Sequence, residues 1–192
     1  MKLVLFDFDG TLSTKDSLNE FLKFYLGKKK YFLKLFLFSP IFVLYKLKLI
    51  KNDIAKEKLI SFFFKDISEK EFKNKAKEYS LNEIPKIINN KTYTLMKEYI
   101  NSKHKVVIVS ASIECWLKPW CDLNNIELLS TKLEFENNKV TGKFSTKNCY
   151  GIEKVNRINE YLNISDYDEI VAYGDSAGDY EMFKISDKYF KI

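Results

Sequence analysis

VLFDFDGTL, residues 4–12, is the stretch on which the fold turns. It begins as an unbroken apolar run, the pattern of a strand covered on both faces, and a strand is predicted over residues 2–8. The run stops at Asp9, Gly10 and Thr11, where an Asp-Gly pair makes a turn. Side chains two apart on a strand share a face, so Asp7 and Asp9 project together from its end. Two ionised carboxylates that close repel strongly. A bound divalent cation with a lysine nearby is the economical way to offset them.

Working outward, KVVIV at residues 105–109 is a second buried strand, ending at Ser110, Ala111 and Ser112 before a helical stretch. A serine there, beside N–H groups that open a helix, suits an oxyanion; capping of that helix is the plainer alternative. A third strand, residues 169–173, enters GDSAGD at 174–179, where two glycines let the loop pack tightly with its acids inward. Asp179 also fits a structural acid at a helix start, whereas Asp175 directly follows a buried strand. With a further strand near 127–129, these alternate with helices near 89–101, 113–125, 152–162 and 178–184. That alternation predicts an α/β protein with a parallel sheet and helices on both faces. A hairpin is expected over 131–144, turning at Asn137 and Asn138. Sites in such sheets lie beyond the C-terminal strand ends, where all these polar groups fall.

Taken with GIEKV at 151–155, the ordered motifs resemble the haloacid dehalogenase (HAD) superfamily of phosphatases, in the branch holding phosphoserine phosphatases and phosphatidylglycerophosphatase C-like proteins. The resemblance covers most of the chain outside residues 14–88. It implies a Rossmann-like core from 1–13 and 89–192, with an inserted helical cap of the C1 type over 14–88. It implies Asp7 as the nucleophile that becomes an aspartyl phosphate and Asp9 as general acid and base. Lys154 would offset charge on Asp7 and the transferring group. Ser110 and the Ala111 N–H would hold the phosphoryl group, with the turn residues Gly10 and Thr11 beside it. Mg²⁺ would be held by Asp7, the Asp9 carbonyl and Asp175, with Asp179 as a direct or indirect partner. A cap of this kind excludes water and selects substrate.

The least ordinary part of the insert is YFLKLFLFSPIFVLYKLKLI, residues 31–50. Its uncharged run, 35–45, spans 11 residues, against about 20 for a bilayer span. Two readings stay open: a buried helix pair broken at Pro40, or an apolar wedge against an anionic membrane, flanked by the lysines of residues 28–51. The chain's net charge of +6 agrees with an acidic surface; no stacking platform or motif points to nucleic acid.

Phosphoserine phosphatases use a cap arginine and a cap acid for the serine carboxylate and amine. Here Arg157 is the only arginine and lies outside the cap, while Asp16 stands near the acid's position. A phospholipid monoester fits the apolar, lysine-flanked insert better, and the resemblance to phosphatidylglycerophosphatase C-like proteins implies phosphatidylglycerophosphate as the substrate; a soluble metabolite phosphate and a non-catalytic lipid or protein binder are the alternatives. Cys115, Cys121 and Cys149 lack metal-site spacing and are odd in number, which points to reduced thiols in the cytoplasm, with the inner membrane face as the peripheral option.

Overall fold

The computed structural model describes residues 1–192. β1 (Lys2–Phe6) leads into five helices, α1 (Ser17–Leu26), α2 (Lys28–Lys46), α3 (Asn52–Phe64), α4 (Glu69–Asn82) and the single turn α5 (Ile84–Ile87). α6 (Asn90–Asn101), β2 (Lys105–Ile113), α7 (Glu114–Leu123) and β3 (Glu127–Thr131) follow, then the hairpin of β4 (Leu133–Glu136) and β5 (Lys139–Phe144). α8 (Ile152–Tyr161), β6 (Glu169–Gly174), α9 (Tyr180–Lys184) and β7 (Lys188–Lys191) end the chain.

The main sheet has the order β3-β2-β1-β6-β7, with every pair parallel. β1 is central, which is why its residues are apolar on both faces. Leu3 and Leu5 pack with Ile158, Met182 and Phe183 from α8 and α9, whereas Val4 and Phe6 face the larger core shared with α7 and the helical insert. Phe21 of α1 stacks on Trp116 of α7 at 4.8 Å between ring centres, tying insert to sheet layer.

Several local expectations are corrected. β1 stops at Phe6 rather than residue 8, although the Asp7 N–H still reaches the Tyr173 carbonyl at 2.9 Å. β2 runs on to Ile113 through a register shift after Ser110, so Ser110 and Ser112 are strand residues and neither caps α7. β7 was not anticipated: KYFK is too short to show a period, and its exposed lysines suit a sheet edge. The hairpin turns at Asn137 and Asn138, with φ of 49° and 59°, the left-handed pair that a two-residue turn needs.

That hairpin is bonded to the insert. The Asp66 N–H donates to the Val140 carbonyl at 2.9 Å and the Phe144 N–H to Glu57 Oε1 at 2.9 Å. Gly142 lies so close to the Ser61 main chain of α3 that any Cβ there would overlap it.

α2 is one continuous helix, which corrects the expected break at Pro40. Pro40 is exposed and costs the helix its own N–H bond, yet the helix carries on through it to Lys46. Only Tyr31 and Phe38 of this helix are buried.

Candidate active site

Lys154 organises the site. α8 begins after Gly151, whose φ is +59°, and Lys154 sits in the first turn with 2% of its surface exposed. Its ammonium donates to Asp7 Oδ1 at 2.6 Å, Asp179 Oδ1 at 2.6 Å and the Val109 carbonyl at 2.7 Å. All three donors are therefore satisfied. Burial works against the charge, but the carboxylates of Asp7 and Asp179 outweigh it and hold the amine above the ordinary lysine range.

One ammonium faces three acids. Asp7, Asp175 and Asp179 each bring a carboxylate oxygen within 4.8 Å of the others. Burial raises Asp7 to about 7, with Lys154 opposing and Asp179 and Asp9 adding to the rise. Burial and Asp179 raise Asp175 as well. Asp179 is fully engaged: beside Lys154 it accepts from the Asp175 N–H at 3.2 Å, and from the Ser176 N–H and hydroxyl at 3.0 and 3.1 Å. Gly10, at φ +79°, leaves room for the Asp175 carboxylate, which a Cβ at that position would strike.

Asp9 is held separately, by Ser17, which nothing in the sequence marks, and by Ser112, expected as an oxyanion binder or helix cap. Its Oδ1 accepts from the Ser17 N–H at 2.7 Å, and its Oδ2 from the Ser112 hydroxyl. Ser112 and Ser17 share a hydroxyl bond of 2.8 Å, and the Trp116 indole donates to Ser17 at 3.2 Å. This chain runs from α7 through the start of α1 to the carboxylate, so the insert helps to aim Asp9. Burial and the nearby Asp16 push Asp9 up to about 6, against the bonds from Ser112 and Ser17.

These groups line a cavity of about 400 Å³ together with Ser110, Ala111, Asp16 and, from the insert, Leu18, Phe38, Phe42, Tyr45, Lys56 and Leu59. Lys56 of α3 is a second missed residue. Its ammonium donates to the Ala111 carbonyl at 2.6 Å, and burial lowers its pKa although Asp9 and Asp16 pull the other way. Asp16 caps α1 by accepting the Asn19 N–H at 2.8 Å. Arg157 is structural, bonded to the Ser130 and Lys147 carbonyls at 2.7 and 2.8 Å.

Of the expected site residues, Asp7, Asp9, Ser110, Ala111, Lys154, Asp175 and Asp179 meet at the cavity. Gly10 and Thr11 do not line it: Gly10 serves the approach of Asp175, and the buried Thr11 hydroxyl has no hydrogen-bond partner.

The raised acids have a consequence for stability without divalent cations. A carboxyl whose pKa is higher folded than unfolded binds more protons folded, so its contribution is lost as pH rises. With Asp7 at about 7 and Asp9 at about 6 against the ordinary 3.8, melts in EDTA should show Tm falling between pH 5 and pH 8, by an amount on the order of 2–4 kcal/mol in stability. Added Mg²⁺ should flatten the slope. A Tm that stays level or rises across that range in EDTA would contradict the crowding of acids inferred here.

Residues 4–184 match the family described as haloacid dehalogenase-like hydrolase. Protein CicA of Caulobacter vibrioides is 31% identical over 188 residues, covering 97% of this chain and 83% of that protein. A Bordetella pertussis Tohama I protein of unknown function superposes with a TM-score of 0.85 at 18% identity, over 99% of this chain and 89% of its own. The phospho-aspartyl intermediate analogue of phosphoserine phosphatase does so with a TM-score of 0.64 at 21% identity, over 99% and 85%. With a family match across nearly its whole length and four motifs at one cavity, the chain belongs to the haloacid dehalogenase-like hydrolases and has the fold of a phosphoserine phosphatase.

Proposed function

We propose that this hydrolase is a Mg²⁺-dependent phosphomonoesterase acting through an aspartyl phosphate on Asp7, with a phospholipid monoester such as phosphatidylglycerophosphate as substrate. The observation that carries the chemistry is the pairing of two differently held carboxylates. Asp7 lies against Lys154, which steadies its negative charge and that of an incoming phosphoryl group. Asp9 is fixed on both oxygens by Ser17 and Ser112, and its pKa of about 6 suits a group that gives a proton to the leaving alkoxide and later takes one from water. Ser110 and the Ala111 N–H would receive the phosphoryl oxygens. Phosphoserine phosphatase, which shares the fold, has been captured as a phospho-aspartyl intermediate analogue.

The donor set fits a small hard cation: the acids are carboxylates only, they outnumber the lysine, and no thiol or imidazole lines the cavity. Asp7, Asp175 and the Asp9 main-chain carbonyl would hold Mg²⁺, with Asp179 orienting Lys154 and the 174–179 loop. When bound, the ion supplies charge neutralisation and Lewis-acid polarisation at the phosphoryl group. Residues 14–88 would act as the cap that completes the site.

Two features of the cavity support a lipid monoester. Leu18, Phe38, Phe42 and Leu59 give it an apolar wall, and Lys56 supplies a second cation for a second anionic group, such as the phosphodiester of phosphatidylglycerophosphate. A phosphorylated amino acid is the other reading, because Asp16 and Lys56 both line the cavity and could receive an ammonium and a carboxylate. The deciding experiment is phosphate release with Mg²⁺ from phosphatidylglycerophosphate in mixed micelles, phosphoserine and a sugar phosphate. Lipid preference is expected; preference for phosphoserine or the sugar phosphate would overturn the lipid assignment. Lys56→Met should raise KM for the preferred substrate by roughly 10- to 100-fold, the worth of one charged hydrogen bond. Hydrolysis of p-nitrophenyl phosphate, which has no second anion, should change little; equal losses on both would give Lys56 a role in the phosphoryl step instead.

A further inference from the structure

We propose that the outer face of α2 is a docking surface for an anionic phospholipid bilayer, on which the helix lies flat rather than crossing it. Residues 32, 33, 36, 37, 40, 43 and 44 recur at helical spacing and fall on one side of α2. On that side Phe32, Leu33, Phe36, Leu37, Val43 and Leu44 are between 38 and 74% exposed. Exposed apolar area this continuous marks an interaction surface rather than ordinary scatter. Lys34 packs instead on the inner side, over the Phe62 and Phe63 rings of α3, so no cation interrupts the face.

Charge identifies the occupant. Residues 21–52 contain eight lysines and no acid, in a chain of net charge +6, so everything outside this segment is net negative. Lys28, Lys29 and Lys30 are exposed at one end of the apolar face and Lys46, Lys48 and Lys51 at the other. A second copy of this chain would bring eight more positive charges against the first, whereas acidic headgroups would neutralise them. The helix is 19 residues long, about 28 Å, but no helix of the chain is long and apolar enough to cross a membrane. An apolar face bounded by lysines at both ends is the form that seats in the headgroup boundary.

The inner side of the same helix supplies Phe38, Phe42 and Tyr45 to the cavity wall. A bilayer on the outer face is therefore separated from the cavity by the thickness of this one helix. The docking surface stands whether or not the substrate is a lipid.

The test is sedimentation of the full chain with vesicles of phosphatidylcholine alone or with 30% phosphatidylglycerol, alongside a variant carrying Phe36→Ser, Leu37→Ser, Val43→Ser and Leu44→Ser. The wild type should bind the anionic vesicles at least tenfold better than neutral ones. The variant should lose that binding by tenfold or more while hydrolysing p-nitrophenyl phosphate as the wild type does, which also establishes that it is folded. Equal binding to both vesicle types, retained binding by the folded variant, or a wild-type dimer that the variant dissociates with no vesicle binding would each overturn the proposal. A lipid-blind substrate preference with intact vesicle binding would remove the proposed substrate and leave the docking surface standing.

Discussion

Asp7→Asn is expected to lower Mg²⁺-dependent phosphate release by roughly 10⁴- to 10⁶-fold, the scale on which loss of a covalent nucleophile is felt. The fold should survive and, in EDTA, gain: the substitution removes one of three acids that share Lys154, leaving Asp179 as the ammonium's charged partner. The wild type should gain Tm from Mg²⁺ through preferential binding to the native state, and the variant should gain much less. Turnover near the wild-type rate would remove Asp7 from the nucleophile role. Lost turnover with an undiminished Mg²⁺ shift would keep that role but take Asp7 out of the ion's coordination.

The second large effect concerns Lys154. Replacing it with methionine keeps most of the volume and removes three satisfied donors, leaving Asp7 and Asp179 buried without their shared counter-charge. Breaking a buried ion pair in this one-sided way costs about 3–5 kcal/mol, which for a chain of this size is a fall in Tm of roughly 6–20 °C. Mg²⁺ should restore part of that stability and little of the activity. Lys154→Arg should rescue neither, because a planar fork cannot place donors on two carboxylates and the Val109 carbonyl as a compact ammonium does. A Lys154→Met protein as stable as the wild type would contradict the charge balance described for the site.

What was legible in the sequence was what is local. Each of the four motifs is a short string at a strand end or helix start, so Asp7, Asp9, Ser110, Lys154, Asp175 and Asp179 could be picked out without knowing how strands pair. Lys56 could not, because nothing around it distinguishes it from the many solvated lysines; only the packing of α3 against the hairpin strand β5 brings its ammonium to Ala111. Ser17 was hidden for a related reason, and so was the part Ser112 plays toward Asp9, since both come from the two serines meeting across 95 positions. The edge strand β7 escaped because four residues carry too little alternation to be read. Pro40 misled because a proline inside a helix can bend it without ending it, and a single sequence does not say which.

The hairpin bonds to α3 and to the loop before α4 limit how the insert can move. Val140 exchanges main-chain hydrogen bonds with residues 66 and 67, and Glu57 of α3 holds the Phe144 N–H. With that half clamped, the insert cannot swing open as one rigid door. α3, and with it Lys56, is held against the hairpin like a gauge block, so that any widening of the cavity above Asp7 would fall mainly to α2, which supplies Phe38, Phe42 and Tyr45 to its wall. The energy for opening would then be set at the outer edge of the molecule, by whatever surface α2 is resting on, and entry of substrate becomes coupled to where the protein sits.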